Sequence, residues 1–133
     1  MTKLAFVCVG NAGRSQMATA FAEQERDQRA LNVEIITGGV DPADSVHEEV
    51  IEAMQEVGID ISDRTPREIT PEDIEDVDHV VTMGCSVEQF RPDDWSGDST
   101  TWGLSSSDTR DQRDELNQRV KQFFDDLQQH EQV

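Results

Sequence analysis

"KLAFVCVGNAGRSQMATAF", residues Lys3–Phe21, carries the passage on which the fold turns. Lys3 to Val9 form an apolar run too short for a helix of ordinary length, and a glycine-containing loop ends it, which predicts a buried strand. From about Arg14 to Ala30 the chain changes to alanine, methionine, glutamate and glutamine, with Met17 and Phe21 on one apolar stripe. That pattern predicts a helix. Cys8 therefore stands at the mouth of the loop, and Arg14 opens the helix six residues on.

Working outward, "NVEIITGG" (32–39) is β-branched and stops at a glycine pair, as a second strand would. Ser45 and Glu48 have capping-box spacing, and Val46, Val50, Met54 and Val57 recur at helical intervals until Gly58. "IDIS" and "REI" are expected to fill a surface connection. Thr70, Pro71 and Asp73 then open a short helix with proline at its first position. "DHVVTMG" reads as a third strand and "TTW" as a weak fourth. A last helix starts near Thr109 and turns Leu116, Val120, Phe123, Phe124 and Leu127 toward a core. Strands alternating with helices predict an α/β sandwich of three layers, a four-stranded parallel sheet with helices on both faces. The 133 residues are one domain's worth of chain, with no internal repeat and no linker.

Charge excludes one class of partner. Acidic residues number 29 against 11 basic ones, a formal net charge of −18, and the only lysines are Lys3 and Lys121. Nucleic acid needs a basic face, so it is not expected as a partner. The acids are spread over amphipathic segments rather than gathered in a tail. Such a surface suits concentrated salt, where the screening length falls to about 3 Å at 1 M. No apolar stretch approaches the roughly 20 residues needed to cross a bilayer. The amino terminus lacks the regions of a secretory signal, which predicts a cytoplasmic protein. Cys8 and Cys85 are too few for a disulfide framework, and His47, His79 and His130 are isolated from one another and from both cysteines. No metal-ligand spacing is present, and neither metal nor other cofactor is expected.

The loop suggests its own chemistry. Backbone N–H groups of a glycine-containing turn over Val9, Gly10, Asn11, Ala12 and Gly13 can converge on a tetrahedral anion. The following helix adds its positive end, and Arg14 a planar guanidinium able to grip two oxygens. Helix N-termini and arginine lower a thiol pKa from about 8.5 to roughly 3.5–7.5, so a cysteine in this field is expected to be ionised. Ser15 could donate to the thiolate, and Asn11 tolerates unusual backbone angles. A cysteine ending a buried strand is also commonly plain core. A nucleotide loop is disfavoured, because Gly10 and Gly13 lack the required spacing and lysine.

"CVGNAGRSQMA" resembles the signature of the low-molecular-weight protein-tyrosine phosphatase superfamily, which includes the thioredoxin- and mycothiol-linked arsenate reductases. "TGGVDP", "EAMQEVGIDISDRTPREIT" and "DHVVTMGC" follow in the order seen there, so the likeness covers about Leu4 to Cys85. It implies Cys8 as nucleophile, Arg14 as oxyanion clamp, and Cys85 as a resolving thiol of the reductase branch. It also implies a small oxyanion, arsenate or phosphate, or a phosphomonoester as substrate. An external thiol or a thioredoxin- or glutaredoxin-like reductant would be the partner.

The chain departs from the family in two places. Gly13 stands where many thioredoxin-linked reductases have a cysteine, and "SVEQFRP" offers no third redox thiol. A complete three-thiol relay is impossible, so an outside thiol must finish the reaction. The family's Asp-Pro proton donor is replaced by "WGLSSSDTRD", where Asp108 is the nearest candidate and equally a helix cap. The chain has no tyrosine; Trp95 or Trp102 would have to supply an aromatic wall, and either also reads as core. Arsenate reduction is therefore the first expectation, phosphomonoester hydrolysis the alternative, and an oxyanion-sensing module the reading without turnover.

Overall fold

The computed structural model describes residues 1–131 and the side chains of residues 1–129; His130, noted above among the isolated histidines, lies outside the described side chains. Four strands, β1 (Thr2–Cys8), β2 (Val33–Gly39), β3 (His79–Met83) and β4 (Asp98–Thr101), form one parallel sheet in the order β2-β1-β3-β4. Four helices accompany them: α1 (Arg14–Gln28), α2 (Glu48–Gln55), α3 (Pro71–Ile74) and α4 (Thr109–Glu131).

Side-chain alternation builds the three layers. Leu4, Phe6 and Cys8 of β1 face a core shared with Met17 and Phe21 of α1, Met54 of α2, and Leu116, Val120 and Phe124 of α4. Ala5 and Val7 face the other way, against Ile74 of α3, Ile69, Phe90 and Trp95. β1 is consequently buried on both faces, which is why its sequence reads as a continuous apolar run. In register, Cys8 stands opposite Gly39 on one side and Met83 on the other. It thus lies at the carboxyl ends of the central strands, where the strand order reverses and parallel sheets leave a crevice.

Two expectations need correction. "IDIS" and "REI" are not simply surface: Ile61 is fully buried and Ile69 nearly so. Ile69 crosses so close to Gly38 that a Cβ there would lie 2.9 Å from the isoleucine Cβ. The Ser45–Glu48 capping box does not form either. α2 begins at Glu48 with His47 in the cap position and no side-chain cap, because the backbone of residues 40–47 is committed elsewhere. By contrast, the Thr70–Asp73 box forms in both directions at α3.

Candidate active site

That commitment shapes the loop. Val40 N donates to Cys8 O, Asp41 N to Val9 O, Ala43 N to Gly10 O and His47 N to Ala12 O, at 2.9–3.3 Å. Gln16 Nε2 reaches Asn11 O at 3.1 Å, and Met17 N reaches Gly13 O at 3.0 Å. Every carbonyl from residue 8 to residue 13 is therefore engaged on the loop's outer side. In a planar trans peptide the N–H points opposite the C=O. The amides that follow those carbonyls accordingly turn inward, and the sign of the nest is fixed without a ligand.

Asn11 sits behind the loop with φ of 51°, fully buried. Its Nδ2 donates to Ser15 Oγ at 2.7 Å and to Thr37 Oγ1 at 2.9 Å. Its Oδ1 accepts from Arg67 N at 3.0 Å and Gln16 Nε2 at 3.2 Å. Gly39 admits this arrangement, since a Cβ there would stand 2.6 Å from Val9 O.

Cys8 Sγ lies 2.9 Å from Ser15 Oγ and accepts from Asn11 N at 3.2 Å. It forms the floor of a cleft of about 210 Å³ together with Gly10, Ala12, Gly13 and Arg14. His47 and Glu49 of the α2 start make one wall; Ser107, Thr109 and Gln112 of the α4 start make another. A larger cavity of about 400 Å³, bordered by His79, Trp102 and Phe123, contains none of the loop residues and none of the chemistry.

The second thiol is adjacent. Cys85 is free, half-buried, and directs its Sγ toward Val7 O at 3.8 Å. Burial pushes its pKa above the ordinary thiol value, and Cys8, when ionised, would push the same way; a backbone hydrogen bond at Met83 and the Arg14 guanidinium pull it down. Cys85 thus belongs to the same electrostatic neighbourhood as Cys8 and Arg14.

The remaining sequence candidates are placed less directly. Val9 is exposed and contributes backbone only. The Asp108 carboxylate accepts from Asp111 N at 3.1 Å at the start of α4, while its neighbours Ser107 and Thr109 face the cleft. Trp95 and Trp102 are both core residues, the first donating Nε1 to Val77 O at 2.9 Å and the second packing on Phe6. Among the described residues, no phenylalanine or tryptophan lines the cleft. Thr37, Arg67, His47, Glu49 and Gln112 were not legible as site residues, because only the fold brings them to the loop.

A sequence profile of the low molecular weight phosphotyrosine protein phosphatase family matches residues 3–133. The chain belongs to that family. Among its relatives, a Halobacterium salinarum protein provisionally named an arsenate reductase is 51% identical over 95% of this chain and 93% of its own length. Arsenate reductase 2 of Staphylococcus saprophyticus is 34% identical over 90% of this chain and 94% of its own. In structure, the Corynebacterium glutamicum thioredoxin-dependent arsenate reductase superposes with a TM-score of 0.82 at 31% identity, covering 96% of this chain. This chain spans 62% of that longer protein. The family and its relatives fix the fold class and the class of enzyme, arsenate reductase or low molecular weight phosphatase; the branch turns on the two thiols.

Proposed function

We propose that this family member reduces arsenate to arsenite through a Cys8 adduct resolved by Cys85. The observation that carries the reading is the second thiol: Cys85 follows Gly84, against which the Arg14 guanidinium lies, and directs its Sγ to Val7 O at 3.8 Å, one residue from Cys8. Cys8 thiolate attacks arsenic while an As–O bond breaks, and the departing oxygen takes up protons and leaves as water. The inward amides and Arg14 hold the remaining oxygens and the charge that builds on them. Cys85 then loses its proton and its sulfur attacks Cys8 Sγ. The electron pair of the S–As bond passes to arsenic, As(V) becomes As(III), and arsenite departs. The two sulfurs are oxidised together to a disulfide. An external dithiol, of the thioredoxin or glutaredoxin class, reduces it and is itself oxidised. The relatives named above support this reading, as does the cleft, which is small and, among the described residues, has no phenylalanine or tryptophan in its lining.

Phosphomonoester hydrolysis is the alternative because the same cradle suits phosphate. It needs a proton donor for the leaving oxygen, and Asp108 is the candidate. The capping bond from Asp111 N ties that carboxylate to α4, which weakens this alternative.

Arsenite release and p-nitrophenyl phosphate cleavage by wild type, Cys8→Ser and Cys85→Ser decide between them. Arsenite production lost in both variants is the expected result. Ester cleavage that survives in Cys85→Ser, without arsenite from wild type, assigns the phosphatase. Tight phosphate binding with neither activity assigns a sensor. Arg14→Lys should lose most turnover, because a point charge cannot reproduce a two-pronged clamp.

The reading also places the enzyme in a reduced, cytoplasmic compartment of a salt-loving cell. The charge of −18 and the Halobacterium relative support the salt-loving part of that placement.

A further inference from the structure

Beyond Met83 the chain leaves β3 through Gly84, an exposed residue with φ of 78°, in the left-handed region that glycine enters without strain. Directly against it lies the Arg14 guanidinium. A Cβ on Gly84 would stand 2.6 Å from Arg14 Nη1, 2.7 Å from Nη2 and 3.0 Å from Cζ. Arg14 holds no ion pair with a carboxylate among the described residues. Its position therefore depends on the reach of its side chain from the first turn of α1 and on the surface it lies against.

We propose that Gly84 is a positioning residue for the Arg14 clamp. Its bare Cα forms the roof that keeps the guanidinium over the loop, and any side chain at this position drives the guanidinium out of place. Gly39 and Gly84 make an instructive pair. At Gly39 the obstructing atoms are the backbone of Val9 and the Asn11 backbone and Cβ, so substitution would strain the fold. At Gly84 all three nearest atoms belong to the free end of one long side chain, which yields while the backbone stays. The inference rests on the proposed role of Arg14 in oxyanion binding, and it holds equally for arsenate reduction, phosphate-ester hydrolysis or sensing.

The test uses inorganic phosphate and the alkylation of Cys8 by iodoacetamide, in a Cys85→Ser background where Cys8 is the single thiol. Gly84→Ala is expected to raise the half-protecting phosphate concentration by on the order of tenfold to a hundredfold, as misplaced binding groups do. Gly58→Ala is the control: its φ is 81° and no atom lies within 4 Å of a Cβ there, so it carries the backbone strain without the displacement. It should melt as Gly84→Ala does and protect as the parent does. Gly84→Asn, compared with Gly58→Asn, repeats the measurement with a residue that accepts positive φ, should the alanine variant not fold. In an Arg14→Ala background, Gly84→Ala should change protection no further. Parental protection in both Gly84 variants overturns the proposal, as does an undiminished effect of Gly84→Ala in the Arg14→Ala background. Parental protection in Arg14→Ala alone overturns the clamp itself, and so separates that failure from a failure at Gly84.

Discussion

Asn11 uses its whole amide. Two donors and two acceptor positions are all filled, by Ser15, Thr37, Gln16 and the backbone of Arg67. One side chain thereby joins the loop to α1, to β2 and to the segment ahead of α3. Replacing it with alanine leaves buried Gln16 Nε2 with one partner fewer, strands Arg67 N, and places a less tolerant residue at φ of 51°. Chemical denaturation of Asn11→Ala should show a loss of about 1–3 kcal/mol, the usual cost of leaving buried polar groups unpaired, together with loss of phosphate protection at Cys8. Asparagine's taste for positive φ was visible in the sequence; Thr37 and Arg67 were not, because they lie 26 and 56 residues away. The same scale governs Cys85. Its pKa is raised, chiefly by burial, so the thiol stays protonated to higher pH than a free cysteine. In Cys8→Ser, Cys85 alkylation measured against pH should reach its midpoint above that of a small-molecule thiol, and a midpoint at or below it would show that burial does not hold this thiol protonated. The linkage sign agrees: this group favours the folded state below the unfolded thiol pKa, and the contribution fades as pH rises through the folded value.

The elements that carry cleft walls are tied together at a distance from it. Glu56, just past α2, takes a fork of bonds from α4: Arg113 Nη1 at 2.8 Å and Arg110 through Nε at 2.9 Å and through Nη2. Arg110 first, and then Arg113, hold the Glu56 carboxyl at about 2, well below its ordinary value. The same two helices present His47 and Glu49, and Thr109 and Gln112, to the cleft. Because the folded pKa is depressed, the stabilisation is present above the ordinary carboxylate range and is lost as pH falls toward about 2. Thermal melts of Glu56→Gln against wild type should show a small deficit at pH 7 and low salt. The deficit should shrink on acidification and in molar salt, since about half of both the Glu56 and Arg110 side chains is exposed. The elements themselves were legible where local pattern and tertiary demand agree. α4 begins at Thr109, where the sequence places its start, and Thr70–Asp73 caps α3. Ser45 failed as a cap because its segment spends its amides on the loop, and no local signal announces such a debt. Ile61 and Ile69 were misplaced because an isoleucine or two among charges has no period to read.

At the scale of the whole molecule, alternation of short apolar runs with amphipathic stretches sufficed for a parallel sheet with two helical layers, and the carboxyl end of β1 then had to be the crevice. What the alternation could not convey is which loops meet there. Net charge acts at this scale as well. With 29 acids against 11 bases the folded chain repels itself in dilute buffer. The unfolding midpoint followed by circular dichroism should rise from low to molar potassium chloride, and indifference to salt would discard the halophilic reading.

The strap formed by residues 40–47 has a further consequence. If the loop receives an oxyanion as proposed, its carbonyls are already tied before the ligand arrives, so little affinity goes to ordering on capture. Its discrimination is therefore geometric. Flat anions such as nitrate or carbonate, whose oxygens share a plane, would leave part of this bowl of amides unanswered, however abundant they are.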